Sequence, residues 1–302
     1  MKKIIFHYPG PFYKTLDGGE KKRPFMMCQA FEELGYEVYK IIGTRKERRQ
    51  NLSKIIENIN NFDFIYSENS TLPLALCGKY HLPAFFSPDY ELFRIAYKKE
   101  IPIGVFYRDI FWKYSEYKKQ IGMLKYLFSI PFYKSELSLY TKYCRKIFFP
   151  SHEVSDLLPS VTKQFILPPA ENMHKFVHKS KSKTLDLIYV GSIAPPKYNL
   201  SLLFNLLLKI NSSKVKLTLI TRKNEWNSYK KFYKIPQCVK FIEADGDNLS
   251  EYYNNSDIAL LCFNPDEYMQ IALPQKLFEA IGYGKPIISF GNTAASRFIK
   301  KK

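Results

Sequence analysis

Apolar residues in this chain occur either as short continuous runs or at the three- and four-residue spacing of one helical face, and the two patterns alternate. Ile4-Ile5-Phe6 predicts a first strand. Phe25, Cys28, Phe31 and Leu34 share a helical face that Gly35 stops, and Val38-Tyr39-Lys40-Ile41-Ile42 predicts a second strand. The loop before that helix ends in Asp17-Gly18-Gly19-Glu20-Lys21-Lys22-Arg23, so the order is strand, glycine loop, helix, strand: a βαβ unit. The alternation continues. A helix over 51–60 leads to a strand over 62–66 that ends at Ser67-Glu68-Asn69, and Ala84-Phe85-Phe86 reads as a further strand before Pro88-Asp89. Strand 102–107 runs into Arg108-Asp109, and strand 146–149 into Pro150-Ser151.

Residues 175–184, rich in lysine and serine, follow neither period and predict a linker. Beyond them, strands over 185–190, 217–220, 239–242, 257–261 and 287–290 alternate with three helices. The first spans 200–210, the second contains Leu249, Tyr252 and Tyr253, and the third carries Leu277, Phe278, Ala280 and Ile281 on one face. Gly282 and Gly284 end the third, and Pro286 prevents it from resuming. Strands and helices alternating at these lengths predict parallel, doubly wound sheets in two domains, 1–174 and 185–302. Each domain, in a chain of 302 residues, is large enough to bury its own core.

Composition narrows the partners. The net charge of +18 draws polyanions, whether nucleic acid, anionic lipid headgroups or nucleotide phosphates, without choosing among them. No run reaches the roughly 20 uncharged apolar residues that span a bilayer. Pro9, Gly10 and Pro11 cut the N-terminal apolar stretch too short for a signal peptide, so a cytoplasmic protein is expected. The five cysteines are scattered without a C-x-x-C pair, which predicts neither a disulfide framework nor a zinc site. From Arg94 to Lys146, twelve Lys and Arg against four acids are interleaved with Trp112, Tyr114, Tyr117, Tyr126, Phe128, Phe132 and Tyr133. This stretch suits a peripheral contact with an anionic membrane, or two helices divided at Pro131 that pack their rings inward; single-stranded nucleic acid is the weakest of the three readings.

Candidate chemistry gathers just past predicted strand ends, where open α/β sheets bind ligands. Gly18 and Gly19 would let the backbone approach a ligand near a helix N-terminus, as would a simple tight turn. Arg108 and Asp109 follow one strand; Gly191 follows another, with Lys197 before the next helix, and Arg222 follows a third. In Pro274-Gln-Lys276-Leu-Phe-Glu279, a carboxylate able to accept from a ribose diol lies one turn from a lysine able to face phosphate.

These residues resemble the GT-B glycosyltransferases, in particular family 4 and its capsule and O-antigen relatives. The resemblance rests on the Gly18-Gly19 loop, Gly191 with Lys197, the Asp257-Ile-Ala-Leu-Leu261 strand, and Pro274…Glu279 followed by Gly284-Lys285-Pro286. It implies the GT-B fold: two Rossmann-like doubly wound domains facing a cleft, the first for the acceptor and the second for a UDP- or GDP-sugar donor. By that resemblance Glu279 holds the ribose and Lys197, Lys276 and Arg222 neutralise the diphosphate. Gly18 and Gly19 then line the cleft, Asp109 holds the acceptor, a surface glycan or a lipid-linked one, and Arg108 binds an acidic acceptor or a phosphate; a local salt bridge that caps the strand is the other reading of this pair. Retention of configuration without metal or other cofactor is implied as well. The sequence departs from the pattern at Arg108, where a His is usual, at Ser192, where an Arg is usual, and at Ile271, where a second Glu is usual. Relatives also continue past the strand at 287–290, so a shortened second domain is expected. Binding without turnover, in a scaffold of a glycan assembly complex, is the alternative these departures leave open, with a basic nucleic-acid-binding protein behind it.

Overall fold

A computed structural model describes residues 1–12, 19–78, 80–84, 86–175, 183–195, 198–210, 213–244, 248–264 and 266–300, the side chains of 19–21 excepted. Gly18, Lys197 and linker residues 176–182 lie outside the described residues. The chain forms two compact units, Met1–Pro168 and Pro169–Lys302.

The first unit contains strands β1 (Lys3–His7), β2 (Glu37–Ile41), β3 (Phe64–Glu68), β4 (Ile103–Phe106), β5 (Lys146–Phe149) and β6 (Gln164–Ile166). They form one sheet of order β2-β1-β3-β4-β5-β6, and every pairing is parallel. Its helices are α1 (Gly19–Glu33), α2 (Arg45–Ile55), α3 (Pro88–Lys98), α4 (Ser115–Ile121), α5 (Met123–Tyr143) and α6 (His152–Asp156). Successive strand residues face opposite sides of a sheet. Phe6, Tyr66 and Phe106 accordingly pack with Cys28 and Phe31 of α1, while His7 meets Phe93 of α3 at 5.7 Å and Tyr107 meets Tyr140 of α5 at 6.1 Å. Helices on both faces make the sheet doubly wound.

The α3/α5 face is pinned by a fully buried ion network. Asp89 receives Arg48 Nε at 2.6 Å and Nη2 at 2.9 Å, and His7 Nε2 lies 2.9 Å from the same carboxylate. Burial alone would raise the Asp89 pKa, but the hydrogen bonds from His7 and Arg48 outweigh it and hold the carboxyl well below its usual range. Glu136 of α5 meets no such cation among the described residues. It accepts Tyr140 Oη at 2.7 Å and the Leu74 N–H at 3.3 Å, and burial outweighs both bonds and pushes its pKa up to about 8.

Several local expectations change. Neither Ala84 nor Phe86 belongs to a strand: the Ala84 N–H turns back to Ala75 O at 3.0 Å and Phe86 is exposed, while Phe85 lies outside the described residues. The apolar letters lead instead into a helix start, with Ser87 at the N-cap of α3 and Pro88 in its first turn. The helix expected over 51–60 begins earlier, at Arg45, because Thr44 and Glu47 form a capping box, and it passes into a 3-10 turn over Ile56–Asn61. Pro131 lies inside α5, on its exposed side, and does not divide it. The buried side chains Ser129, Tyr133, Glu136, Leu139 and Tyr140 hold the helix through the bond that proline removes. The break comes at Gly122, whose φ of +83° only glycine adopts readily. The aromatic stretch divides by face: Trp112, Tyr117 and Tyr133 form a buried cluster, and Met123, Leu124, Leu127 and Phe128 point outward beside exposed Lys125.

The second unit contains β7 (Leu185–Val190), β8 (Val215–Ile220), β9 (Val239–Ile242), β10 (Ile258–Leu261) and β11 (Ile287–Ser289), all parallel, in the order β11-β10-β7-β8-β9. Its helices are α7 (Ser201–Lys209), α8 (Lys223–Tyr229), α9 (Leu249–Asn254), α10 (Gln275–Gly282) and α11 (Ala294–Lys300). Leu187, Tyr189, Leu217 and Leu219 pack on Leu203, Phe204 and Leu207 of α7. Ile188, Ile220 and Ala259, on the opposite face, pack on Leu249 and Tyr253 of α9 and Ala280 of α10. This sheet is doubly wound too. The five expected strands and three expected helices occur in order, and two helices that the apolar pattern did not announce join them: α8 between β8 and β9, and α11 after β11. Residues 170–174 pack here as well: Gln275 Nε2 donates to Ala170 O at 2.9 Å, and the His174 N–H to Gly282 O at 2.9 Å.

Candidate functional site

In each sheet the strand order reverses once, between β1 and β3 in the first unit and between β7 and β10 in the second. Loops leaving the C-terminal strand ends diverge at such a reversal and open a crevice, the usual ligand site of a doubly wound sheet.

At the reversal of the second unit, β7 runs into Gly191 and β10 into the loop that leads to α10. Pro274 is the N-cap of α10, with φ −73° and ψ 142°. The apolar face of α10, Leu277, Phe278 and Ala280, is buried, and the same helix buries Glu279 to 4% exposure. Lys276 Nζ sits 2.9 Å from both oxygens of the Glu279 carboxylate, and Tyr253 Oη donates to Oε1 at 2.9 Å. Burial, and then the Glu279 charge, push the Tyr253 pKa well above that of a free phenol, so Tyr253 is a fixed neutral donor. Lys276 and Glu279 are thus brought together, and among the described residues Oε2 receives only the lysine. Around them Tyr253 stacks on Tyr283 at 4.4 Å between ring centres, and Tyr283 on His174 at 3.8 Å. A Cβ on Gly282 would stand 2.6 Å from Asn172 O; the absence of a side chain lets segment 170–174 lie against α10.

Gly191 continues β7, its N–H donating to Ile220 O at 3.0 Å. The loop after it already holds an internal carboxylate. Glu225 of α8 accepts Ser192 Oγ at 2.6 Å and the Ile193 N–H at 3.2 Å, and its other oxygen pairs with Arg222 Nη1 at 3.3 Å. Arg222 is exposed and lies at the start of α8, joined through Glu225 to the Gly191 loop. Ile271, in the position where a second Glu is usual, is buried, and neighbouring Glu267 and Gln270 are exposed.

At the reversal of the first unit, Gly19 opens α1. Arg108 and Asp109 follow β4, as expected, but turn different ways. Asp109 Oδ1 accepts the Phe111 N–H at 2.8 Å, closing its own turn. Arg108 donates its N–H to Asn69 Oδ1 at 2.7 Å and directs its guanidinium to Glu68, Nη2 to Oε2 being 3.9 Å. Sequence reasoning marked Glu68 only as the end of a strand and passed over Arg23, Tyr253, Tyr283 and His174. The one signal for Glu68 in the sequence is alternation, which puts it on the same face as Tyr66; that α1 covers this face emerges only from the fold.

Residues 184–302 match the family described as Glycosyl transferases group 1. No curated protein matches the chain. Among solved structures, the chain is similar to HepE of Anabaena in complex with UDP and glucose, with 11% identity and a TM-score of 0.58 over 98% of this chain and 83% of that one. It is similar to an alpha-glucosyltransferase in complex with UDP and a 13-mer DNA containing an HMU base, with 13% identity and a TM-score of 0.57 over 95% and 79%. It is similar also to the apo lipopolysaccharide outer core galactosyltransferase WaaB, with 13% identity and a TM-score of 0.51 over 99% and 88%. At such identities the likeness is one of fold. The fold is GT-B, and residues 184–302 match the group 1 glycosyltransferases.

Proposed function

For a GT-B chain whose residues 184–302 match the group 1 glycosyltransferases, we propose transfer of a sugar from a UDP- or GDP-sugar to a surface-glycan or lipid-linked acceptor at the cytoplasmic face of a membrane. The observation that carries this reading is Glu279: a carboxylate buried at the reversal of the second sheet, with oxygen lone pairs left for a ribose diol after Lys276 and Tyr253 are served. The HepE and alpha-glucosyltransferase structures that share the fold hold UDP. In this reading Gly191 allows the diphosphate to approach the loop after β7, and Lys197 and Arg222 meet its charge. Lys276 turns part of its charge from Glu279 to the phosphates. Positive groups at the leaving diphosphate stabilise the charge that develops on it in the transition state. The first unit presents the acceptor near Gly18, Gly19, Arg108 and Asp109.

Retention of configuration and independence of metal belong to the proposal through the family resemblance; the anomer of the product by NMR, and activity in EDTA, test them. Membrane contact belongs to it through the outward face of α5, where Met123, Leu124, Leu127 and Phe128 supply apolar area and Lys125 and Lys134 supply charge for anionic headgroups. Among the described residues no helix is long and apolar enough to cross a membrane. A second reading, nucleotide binding without turnover, is favoured by Glu225, which places a negative charge on the loop meant for the diphosphate.

The thermal midpoint with and without UDP, GDP and their sugars separates these readings. A nucleotide at 100 times its dissociation constant is expected to stabilise the fold by about 2.7 kcal/mol. Glu279→Ala is expected to abolish that shift. If no nucleotide shifts the midpoint, the donor site is not where we place it; a shift without sugar transfer favours the second reading.

A further inference from the structure

The reversal of the first sheet holds a charged cluster that the donor chemistry leaves unused. Glu68, at the end of β3, is fully buried. It accepts Tyr66 Oη at 2.8 Å and Arg23 Nε at 3.2 Å to one oxygen and 3.3 Å to the other, and Arg108 Nη2 stands 3.9 Å from it. Arg23 comes from α1, and its guanidinium lies 3.5 Å from the centre of the Phe106 ring. One carboxylate therefore serves two guanidinium groups.

The donors exceed the acceptors. Nη2 of Arg23 and Nη2 of Arg108 are both buried and, among the described residues, have no hydrogen-bond partner. Arg23 is 7% exposed, whereas Arg108 keeps 14% of its side chain open, so approach from solvent is at the Arg108 side. Among the described residues, two buried cations face one buried anion, an excess of positive charge in a medium that solvates it poorly, and a second anion would relieve it. Guanidinium groups suit planar or tetrahedral oxyanions because their donors form a fixed fork. The cluster also sits at the C-terminal strand ends where the strand order reverses, the ligand position of such a sheet.

We propose that Arg23 and Arg108 bind an anionic group of the acceptor, a phosphate ester or a carboxylate, and that Glu68 is a positioning residue that holds the two guanidinium groups for it. The proposal rests on the reading that the first unit presents the acceptor.

The test titrates the full chain, in saturating UDP so that the donor site is filled, with inorganic phosphate and separately with glucuronate. Arginine side-chain N–H resonances and calorimetry report binding, and circular dichroism reports folding. The wild type is expected to bind one of the two saturably; phosphate binding marks a phosphate ester and glucuronate binding a carboxylate. Arg108→Gln is expected to weaken that binding by about tenfold, since a charge-assisted bond is lost. Glu68→Gln, which keeps one oxygen to hold the Arg23 Nε–H and removes the negative charge, is expected to tighten it. No saturable binding of either anion, as when water alone serves the two nitrogens, overturns the proposal. So does an affinity unchanged in both variants. UDP binding is read separately by the thermal midpoint: its loss in the wild type overturns the donor reading, while the arginine variants still decide the anion site.

Discussion

Each sheet carries a buried glutamate where its strand order reverses, and the two are dressed in opposite ways. Glu279 meets one lysine and one phenol and keeps acceptor capacity on Oε2. Glu68 meets a phenol and two arginines, and the capacity left over is donor capacity, on two Nη2 atoms. Spare acceptors suit a ligand that donates, such as a sugar hydroxyl; spare donors suit one that accepts, such as an oxyanion. A carboxylate at the reversal of each sheet, one ending a strand and the other carried by a helix, is thus left with capacity of opposite polarity by the residues packed against it.

The contrast extends to stability, where it is expected to be largest. Glu68→Ala leaves two guanidinium groups in the interior without an anion, and removing one partner of a buried charged cluster costs about 3–5 kcal/mol. Glu279→Ala leaves the neutral Tyr253 hydroxyl without its acceptor and Lys276 without its anion, but the Lys276 side chain is one-third exposed and can turn to water. Its expected cost is smaller, about 1–2 kcal/mol. Urea unfolding of the two variants checks the order, and equal losses would break the comparison.

Glu136, a buried carboxylate with no cation beside it among the described residues, sharpens the point through pH. Glu136 titrates near 4.5 when unfolded and near 8 when folded, because burial favours its neutral form. The stability it contributes is complete below the unfolded value, declines as pH rises, and is gone above about 8. Asp89, held by Arg48 and His7, has the opposite sign: its contribution is present above its ordinary value of 3.8 and is lost as pH falls. Between about pH 5 and 8, stability due to Glu136 should fall by at most about 1.4 kcal/mol per pH unit. Glu136→Gln should flatten that fall. Denaturation midpoints across this range decide it; an unchanged slope in the variant removes Glu136 as its source.

The sequence carried most of the fold because parallel strands buried on both faces are continuous apolar runs, and ten of the strands and α10 follow from them directly. Residues 84–86 misled for the same reason: three apolar letters before a proline do not distinguish a strand from the approach to a helix cap. Thr44…Glu47, a legible capping box, would have placed the start of α2 correctly. Glu279 and Lys276 were readable as a local motif on one helical turn. The Glu68 cluster was not, since Arg23, Glu68 and Arg108 are distant in sequence and meet only when β3, β4 and α1 assemble. Alternation put Glu68 and Arg108 on one face, but the helix covering that face had to be known. The stack of Tyr253, Tyr283 and His174 is hidden in the same way, since it depends on how segment 170–174 lies along α10.

The smallest expected effect tests whether the loop after β7 serves the donor at all. Glu225 binds the Ser192 hydroxyl and the Ile193 N–H and pairs with Arg222, so its charge stands where a diphosphate would place its own. Glu225→Gln keeps an oxygen for the Ile193 N–H, removes the charge, and frees Arg222 to turn toward the ligand. Arg222 is exposed, so solvent screens most of this repulsion. UDP is therefore expected to bind only about threefold tighter, equivalent to about 0.6 kcal/mol. Calorimetry at low and high salt reads it, and the gain should shrink as salt rises. A diphosphate bound elsewhere would leave UDP affinity indifferent to Glu225 at every salt concentration. A loss of affinity would instead make Glu225 a structural support of the loop, and the acceptor-rich character assigned to the second reversal would then rest on Glu279 alone.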